Sequence, residues 1–257
     1  MVTKLQKTIC SNACRVNSAK MECRQIQLDY QWLKDQGDRI FPPVEEADED
    51  GLLAYGGELT KEFLMVAYAR GLFPWYTSGE PILWWCPDPR MILLPEWFKP
   101  SKSLRRKVRS GIFEIFSDTC FDEVIRHCAR VPRPGQQGTW ITPEMERAYL
   151  ALHKEGFAHS IEVFLKGRLV GGLYGVSLGK AFFGESMFYL ISDASKVAFY
   201  YLVEFLKKHE FHLIDAQITT THLKNLGGQE VPRDIFLRIL EKALQFPTLQ
   251  GKWEVNG

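Results

Sequence analysis

Three consecutive segments with alternating apolar and polar residues place the strongest constraint on how this 257-residue chain can fold. They span residues 159–166, 168–177 and 180–188. A period of two residues predicts β-strands, and the short links at Gly167 and Gly179 predict antiparallel hairpins. A predicted helix from Asp193 to about His209 separates them from a fourth strand at 211–218, so that strand can pair in parallel. The sequence therefore predicts an α+β fold with a mixed sheet.

Helices are predicted on both sides of this strand region. A short polar side chain can cap a helix by accepting a hydrogen bond from a free backbone N–H. Such caps are predicted at Thr60, Asp118, Thr142 and Asp193. The helices after Thr60 and Thr142 are expected to end near Arg70 and Gly156, and a short basic helix is expected over 101–109. A last helix is expected from Pro232 to about Phe246, whereas the Pro-, Gly- and Trp-rich stretch 71–90 predicts an ordered loop.

The composition excludes several classes of protein. No apolar run approaches the ~20 residues that a membrane-spanning helix needs. The net charge is +1, so any nucleic-acid binding must come from a local basic patch. Six cysteines without a Cys-x-x-Cys pair argue against a secreted disulfide scaffold and favour a reducing, cytoplasmic location. Cys120, His127 and Cys128 have no evident fourth ligand, so no metal site is predicted.

A cluster of basic residues lies between positions 99 and 109, with no acidic residue among them. On the predicted helix, Lys102, Arg105, Arg106 and Arg109 share one face. Such a face can contact the phosphate backbone of a nucleic acid without reading its sequence. An ordinary solvated helix face explains the same composition equally well, so the charge pattern leaves both interpretations open.

Aromatic residues concentrate in one short region. Trp75, Tyr76, Trp84 and Trp85 lie within eleven residues, and Trp140 follows later. Aromatic faces can stack unpaired bases, at about 1–3 kcal/mol each, or line a pocket for a large apolar side chain. From these residues alone, core packing beneath a Pro-rich loop is the preferred interpretation.

Polar residues interrupt two otherwise apolar predicted strands. Asp215 and Gln217 point to one side of their strand and Ile214 to the other. Glu185 is the ionisable group of another strand, where Met187 shares its face. Buried acids need partners, and at functional sites their pKa values are often shifted. Exposed strand faces would explain the same residues, so the pattern alone does not decide.

Several longer stretches are more specific. They are Arg70-Gly-Leu-Phe-Pro-Trp-Tyr76, Pro81-Ile-Leu-Trp-Trp-Cys-Pro-Asp-Pro-Arg90, Phe183-Gly-Glu-Ser-Met-Phe188 and Leu213-Ile-Asp-Ala-Gln217, with others at 51–59, 138–142, 159–163, 169–176 and 194–196. In their order and spacing, over roughly 41–235, the sequence resembles the bacterial leucyl/phenylalanyl-tRNA–protein transferases.

The resemblance implies a fold and an activity. The implied fold is a GNAT-like acyltransferase domain over 91–257, preceded by a small α/β domain over 41–90 and an N-terminal extension over 1–40. The implied activity moves Leu, Phe or sometimes Met from its tRNA to the N-terminal Arg or Lys of an acceptor protein, which marks that protein for degradation by the N-degron pathway. The expected partners are therefore aminoacyl-tRNA and acceptor proteins. No cofactor is implied, and a cytoplasmic monomer is expected.

The resemblance also implies the site residues. The expected catalytic residues are Asp215, Gln217 and Glu185. The pocket for the aminoacyl group and terminal adenosine is expected at Trp75, Trp140, Tyr149, Leu173, Phe182, Met187, Leu202 and Ile214. Lys102, Arg106 and Arg109 are expected to bind tRNA. Because Phe182 is out of phase with Glu185, a β-bulge is needed for both to face one pocket.

The implied reaction is the aminolysis of an ester, which requires no covalent enzyme intermediate. The attacking α-amine has a pKa near ~7.7–8.0, so a useful neutral fraction exists at pH 7. Positioning the reactants can supply up to ~7–11 kcal/mol. We expect Asp215 to hold the cationic group of the acceptor and to assist deprotonation through Gln217. Glu185 is expected to orient the acceptor or the donor amine.

Three other functions compete with this one: a CoA-dependent N-acetyltransferase, a peptidoglycan-building aminoacyl transferase and a non-enzymatic RNA-binding protein. The stretch most similar to a CoA-binding loop, at 168–173, ends in Leu and lies in a predicted strand, which counts against CoA. An RNA-binding protein would use the basic face and the tryptophans. It would leave the apolar pocket, Asp215 and Gln217 without a role.

Overall fold

The computed structural model describes residues 14–15, 30–131 and 140–255, and its strands and helices are numbered here in chain order. The strands are β1 Cys14–Arg15, β2 Leu52–Tyr55, β3 Phe73–Pro74, β4 Leu83–Trp85, β5 Arg90–Leu93, β6 Glu114–Ser117, β7 Ala158–Leu165, β8 Arg168–Leu178, β9 Ala181–Tyr189, β10 Leu213–Gln217 and β11 Gln229–Val231. The helices are α1 Tyr30–Ile40, α2 Lys61–Ala69, α3 Lys102–Arg109, α4 Phe121–Arg130, α5 Pro143–Lys154, α6 Ala194–Lys208, α7 Thr221–Asn225 and α8 Arg233–Leu244.

A mixed sheet with the strand order β11-β5-β10-β9-β8-β7-β6 organises the larger part of the described chain. β7, β8 and β9 form the predicted antiparallel meander, with tight turns at Gly167 and Gly179, both at positive φ. β10 pairs with β9 in parallel after the α6 crossover, and the other neighbours in this sheet are antiparallel. The predicted mixed sheet and α+β class are therefore confirmed.

Apolar cores cover both faces of this sheet, because successive strand residues point to opposite sides. On one face, Leu173 and Phe182 pack with Leu202 of α6. On the other face, Tyr174 and Phe183 pack with the helices α2, α4 and α5. A sheet buried on both faces can hold polar side chains in its interior, provided that they are hydrogen-bonded.

A second, smaller sheet with the order β1-β2-β4-β3 corrects one prediction. The stretch 71–90, expected to be an ordered loop, contains β3 and β4 and the start of β5. Trp84 is fully buried there, packs on Phe41 and Phe63, and donates its indole N–H to the backbone oxygen of Gly56 at 2.9 Å. Strands of two to four residues are too short to show a period in the sequence.

Two of the four predicted helix caps form in the structure, and two do not. The predicted caps Thr60 and Thr142 accept hydrogen bonds from the backbone N–H groups of Phe63 and Met145 and are confirmed. Ser101 caps α3 in the same way, through the backbone N–H of Leu104. The predicted cap at Asp118 is wrong, because Cys120 occupies the cap position and Asp118 accepts instead from the ring of His159 at 2.8 Å.

Asp193 precedes α6, as the sequence predicted, but it does not cap the helix with its side chain. Its carboxylate binds Lys196 at 2.7 Å and accepts no hydrogen bond from a backbone N–H of α6.

The predicted N-terminal extension, residues 1–40, is described in part. Residues 1–13 and 16–29 lie outside the described residues. Residues 30–40 form α1, which packs on α2 and buries Leu33. In the described part of the chain, no helix is both long and apolar enough to cross a membrane.

Candidate active site

A β-bulge in β9 turns Glu185 toward the interior of the molecule. Tyr174 of β8 pairs with Ser186 and Gly175 pairs with Gly184, so Glu185 is the extra residue between them. An extra residue shifts the phase of the strand, as the sequence required for Phe182 and Glu185 to face one cavity. The predicted bulge is confirmed.

Three neutral donors surround the carboxylate of Glu185. Tyr68 and Gln217 donate to Oε1 at 2.7 and 2.9 Å, and Tyr149 donates to Oε2 at 2.7 Å. Burial, and then the charge of Glu185, raise the pKa of both phenols well above the usual value, so both stay protonated and donate. Burial raises the pKa of Glu185 itself to about 7, against the opposite effect of these hydrogen bonds. Glu185 can therefore change its charge near neutral pH.

Gln217 ends β10 with an unusual backbone conformation. Its φ is 62°, and the backbone N–H of Ile218 donates to the oxygen of Ala216 at 2.7 Å, which makes a three-residue γ-turn around Gln217. The side-chain nitrogen of Gln217 is directed to Glu185, so its amide oxygen is the end that remains for a ligand. Strained conformations of this kind cluster at functional sites.

Asp215 is held by an ion pair below this corner. Arg90 donates from Nε and Nη2 to its two carboxylate oxygens at 2.8 and 2.6 Å, and both side chains are fully buried. The guanidinium lies between the rings of Phe73 and Phe236, 4.8 and 4.6 Å from their centroids. The backbone N–H of Gln217 donates to Asp215 at 2.9 Å. Asp215 thus supports the turn at Gln217.

This placement does not fit a direct contact between Asp215 and a substrate cation. Asp215 does not line the cavity beside Gln217, and Arg90 already neutralises its charge. A cationic acceptor group would have to displace a buried, bidentate guanidinium, which costs several kcal/mol. The sequence could not reveal this pair, because Arg90 lies 125 residues before Asp215.

A cavity of about 510 Å³ opens beside Glu185 and Gln217. Seven of the eight predicted pocket residues line it, namely Trp75, Trp140, Leu173, Phe182, Met187, Leu202 and Ile214. The eighth, Tyr149, is fully buried and reaches the site through its hydrogen bond to Glu185. Trp75 and Ile218 are 39% and 42% exposed and lie at the solvent side, whereas Phe182 and Leu202 are almost fully buried. The cavity is therefore apolar in depth and has one polar corner.

Further residues that the sequence did not predict line the cavity. They include Phe73, Phe199, Thr220, His222 and Leu223. His222 has a buried Nε2 with no hydrogen-bond partner among the described residues. Burial lowers the pKa of its imidazole, and the charge of Lys196 adds to this effect. The available signal for His222 was its position shortly after Asp215 and Gln217. Nothing in the sequence showed that α7, which carries His222, turns toward the cavity.

The predicted tRNA-binding residues lie on one exposed helix. Lys102, Arg106 and Arg109 are exposed on α3, and no acidic residue in the described part of the chain forms an ion pair with them. Leu104 is buried on the opposite side of α3, which packs against α6. α6 also supplies Phe199 and Leu202 to the cavity, so one helix connects the basic face to the pocket wall.

No group of three or more histidine, cysteine, aspartate or glutamate side chains is arranged to hold a metal ion within the described ranges. Burial, and then the charge of the nearby Glu162, raise the pKa of the Cys120 thiol to about 12. The thiol is thus poorly suited to bind a metal as a thiolate.

Comparison with known proteins identifies a family. Residues 92–241 match the family model described as "Leucyl/phenylalanyl-tRNA protein transferase". Residues 57–88 match the model for the N-terminal domain of the same family. The leucyl/phenylalanyl-tRNA–protein transferase of Desulfatibacillum aliphaticivorans is 54% identical over 84% of this chain and 93% of its own. That of Maridesulfovibrio salexigens is 56% identical over 84% and 91%. Among solved structures, L-PGS from Bacillus licheniformis is 12% identical over 65% of this chain and 53% of its own, with a TM-score of 0.37, too low to establish a shared fold.

Proposed function

The chain belongs to the leucyl/phenylalanyl-tRNA–protein transferase family, and we propose that it transfers Leu or Phe from tRNA to an N-terminal Arg or Lys of acceptor proteins. The observation that supports this best is the cavity of about 510 Å³, whose apolar depth meets the polar corner of Glu185 and Gln217. An esterified apolar side chain and an attacking amine need these two environments side by side.

The donor side chain occupies the apolar part of the cavity in this proposal. Phe182, Leu202 and Ile214 offer it almost fully buried walls. The ester and the ribose then lie toward the exposed end, where Trp75 and Trp140 can stack on the terminal adenine. A pocket of this kind discriminates one methylene group by only about 1–3 kcal/mol, which agrees with acceptance of both Leu and Phe.

The acceptor amine is placed by Gln217. The amide oxygen of Gln217 accepts a hydrogen bond from the α-amine, and Glu185 binds the amide nitrogen at 2.9 Å. An ionised Glu185 polarises the amide and strengthens its oxygen as an acceptor. The nitrogen of the amine then attacks the ester carbon, so that a C–N bond forms and the bond to the tRNA oxygen breaks. One proton moves from the amine to the released tRNA hydroxyl.

Asp215 acts as a positioning residue in this mechanism. It supports the backbone of Gln217 and is itself fixed by Arg90. This replaces the expectation that Asp215 contacts the acceptor's cationic side chain. The basic face of α3 (Lys102, Arg106 and Arg109) binds the phosphate backbone of the tRNA, since these cations lack acidic partners among the described residues.

The GNAT-like fold is part of the same proposal. The antiparallel meander of β7, β8 and β9, the α6 crossover and the parallel strand β10 support it. A CoA-dependent N-acetyltransferase would need a loop for the pyrophosphate, whereas the stretch most similar to one lies inside β8. We therefore retain aminoacyl-tRNA as the donor, and its use as a donor implies a cytoplasmic site of action.

A transfer assay tests the proposal. Purified protein is mixed with tRNA that carries labelled Phe and with peptides that differ only in an N-terminal Arg, Lys or Ala. We expect label on the Arg and Lys peptides and at least about tenfold less on the Ala peptide, a ratio that corresponds to about 1.4 kcal/mol of discrimination. Equal labelling of all three would contradict the acceptor preference, and labelling from acetyl-CoA instead would contradict the donor.

A further inference from the structure

A C-terminal segment returns to the large sheet after α8 and packs Trp253 behind the cavity wall. The indole ring lies 5.8 Å from the ring of Phe182, which lines the cavity, whereas Trp253 does not line it. Phe205 and Phe211 surround the indole at 4.7 and 5.9 Å. Trp253 is 2% exposed and belongs to the same apolar cluster as Phe182, so its bulk packs on Phe182 from outside the cavity lining.

The backbone of β8 restricts the position of the Phe182 ring. Its ring lies directly on the backbone of β8, because a Cβ added at Gly175 would come within 2.5 Å of its Cζ. Protein interiors are close-packed, so a ring confined on one side by backbone is placed by whatever fills the other side. The position of this wall of the cavity therefore depends on the bulk of Trp253.

Polar contacts fix Trp253 more firmly than apolar packing alone would. Its backbone N–H donates to the buried carboxylate of Asp118 at 2.8 Å, and Ser117 donates to its backbone oxygen at 2.7 Å. The indole N–H donates to the backbone oxygen of Leu249 at 3.0 Å. The ring of His159, which is bound to Asp118, stacks on the indole at 3.8 Å. These contacts hold the indole in one orientation against Phe182.

We propose that Trp253 determines the depth of the cavity, and thereby which aminoacyl side chains are accepted, by holding Phe182 in place. The inference rests on the proposed function, because the cavity must be the aminoacyl pocket. A smaller residue at position 253 leaves room into which Phe182 can withdraw. A side chain longer than Phe then fits better, and Leu loses contacts with the receding wall.

The test compares transfer of Leu, Phe and 4-iodophenylalanine, each charged onto the same tRNA, to one acceptor peptide. In Trp253→Phe, we expect kcat/KM for 4-iodophenylalanine relative to Leu to rise about tenfold, the lower end of the range for one added group in an apolar pocket. Phe113→Leu is the matched control. Phe113 is 8% exposed and belongs to the same hydrophobic cluster, but the described ring contact of Phe182 is with Trp253, so the ratio should stay unchanged in Phe113→Leu.

Phe182→Leu distinguishes a failure of the role of Trp253 from a failure of the pocket assignment. If it changes the ratio while folded Trp253→Phe and Trp253→Leu leave the ratio within twofold of the wild type, the role of Trp253 is refuted and the pocket assignment stands. If Phe182→Leu leaves the ratio unchanged, the cavity is not the aminoacyl pocket, and both proposals fail. Thermal melting identifies any variant that has lost its fold, and Trp253→Phe remains informative if Trp253→Leu does not fold.

Discussion

Glu185 and Asp215 lie on neighbouring strands of one sheet, yet their charges are compensated in different ways. Asp215 is fully buried and receives two hydrogen bonds from the guanidinium of Arg90. Glu185 is bound by neutral donors, the two phenols of Tyr68 and Tyr149 and the amide of Gln217. One carboxylate has a dedicated cation, and the other has none among its described hydrogen-bond partners.

This difference divides structural support from reactivity. A buried ion pair of good geometry fixes a charge and the backbone attached to it. A buried carboxylate with neutral partners keeps a proton near neutral pH, and the pKa of Glu185, raised by burial to about 7, follows this rule. The same signal in the sequence, an acid within an apolar strand, therefore has two outcomes, and the partner decides between them.

The largest expected effect comes from breaking the ion pair. Arg90→Met leaves Asp215 charged and unpaired in the interior, so the free energy of unfolding should fall by about 3–5 kcal/mol, measured by urea denaturation. The double variant Arg90→Met/Asp215→Leu removes both charges and should recover most of that loss. A loss below about 1 kcal/mol in Arg90→Met would mean that the pair is not a structural support.

Removal of the Gln217 side chain should affect the reaction rather than the fold. We expect Gln217→Ala to lower kcat by roughly 100-fold, the size of one lost transition-state hydrogen bond, while thermal melting shows a folded protein with a modestly lower melting temperature, because Glu185 loses one of its donors. Gln229 is exposed on β11, so Gln229→Ala is a matched control and should keep the wild-type kcat. A kcat for Gln217→Ala within threefold of the wild type would remove Gln217 from the mechanism.

The titration of Glu185 should appear in the pH dependence of stability. Its pKa is about 7 in the folded protein, against 4.5 for an unperturbed glutamate, so the unfolded chain loses the proton first as the pH rises. Between these values the folded state binds more protons, and stability should fall with rising pH by roughly 1 kcal/mol per unit from this group. We expect Glu185→Gln to lack this slope, measured as the wild-type-minus-variant difference between pH 5 and 7. A difference that is flat with pH would contradict the account.

The smallest effects are expected on the basic face of α3. Alanine at Lys102, Arg106 or Arg109 should raise KM for aminoacyl-tRNA about threefold and leave kcat unchanged, because each contact is an exposed phosphate contact. Each should also lower the slope of log affinity against log salt by about 1. Lys242 is exposed on α8, and Lys242→Ala should change neither quantity. Unchanged salt slopes for all three α3 variants would place the tRNA elsewhere.

The sequence predicted the parts of the fold that depend on near neighbours. The strands β7, β8 and β9 follow from their period of two, and the caps at Thr60 and Thr142 act over three residues. The bulge at Glu185 followed from a phase conflict within one strand, once both Phe182 and Glu185 were assigned to a single pocket.

Contacts between distant residues account for the errors. Asp118 can cap a helix by its local pattern, but its partners His159 and Trp253 lie 41 and 135 residues away. Asp215 likewise pairs with Arg90 of β5, a contact that its position in the strand does not indicate. Buried partners of this kind outweigh local preference because an unpaired buried charge costs far more than a lost cap.

The central claim is that the cavity holds the aminoacyl side chain while Gln217 and Glu185 receive the amine. The most direct test is a crystal structure with a stable amide analogue of phenylalanyl-adenosine. We expect the phenyl ring between Phe182, Leu202 and Ile214, with space for an amine between Gln217 and the carbonyl carbon, so that the amine nitrogen lies about 3–3.5 Å from that carbon. A phenyl ring outside this cavity, or a carbonyl carbon on the side away from Gln217, would contradict it.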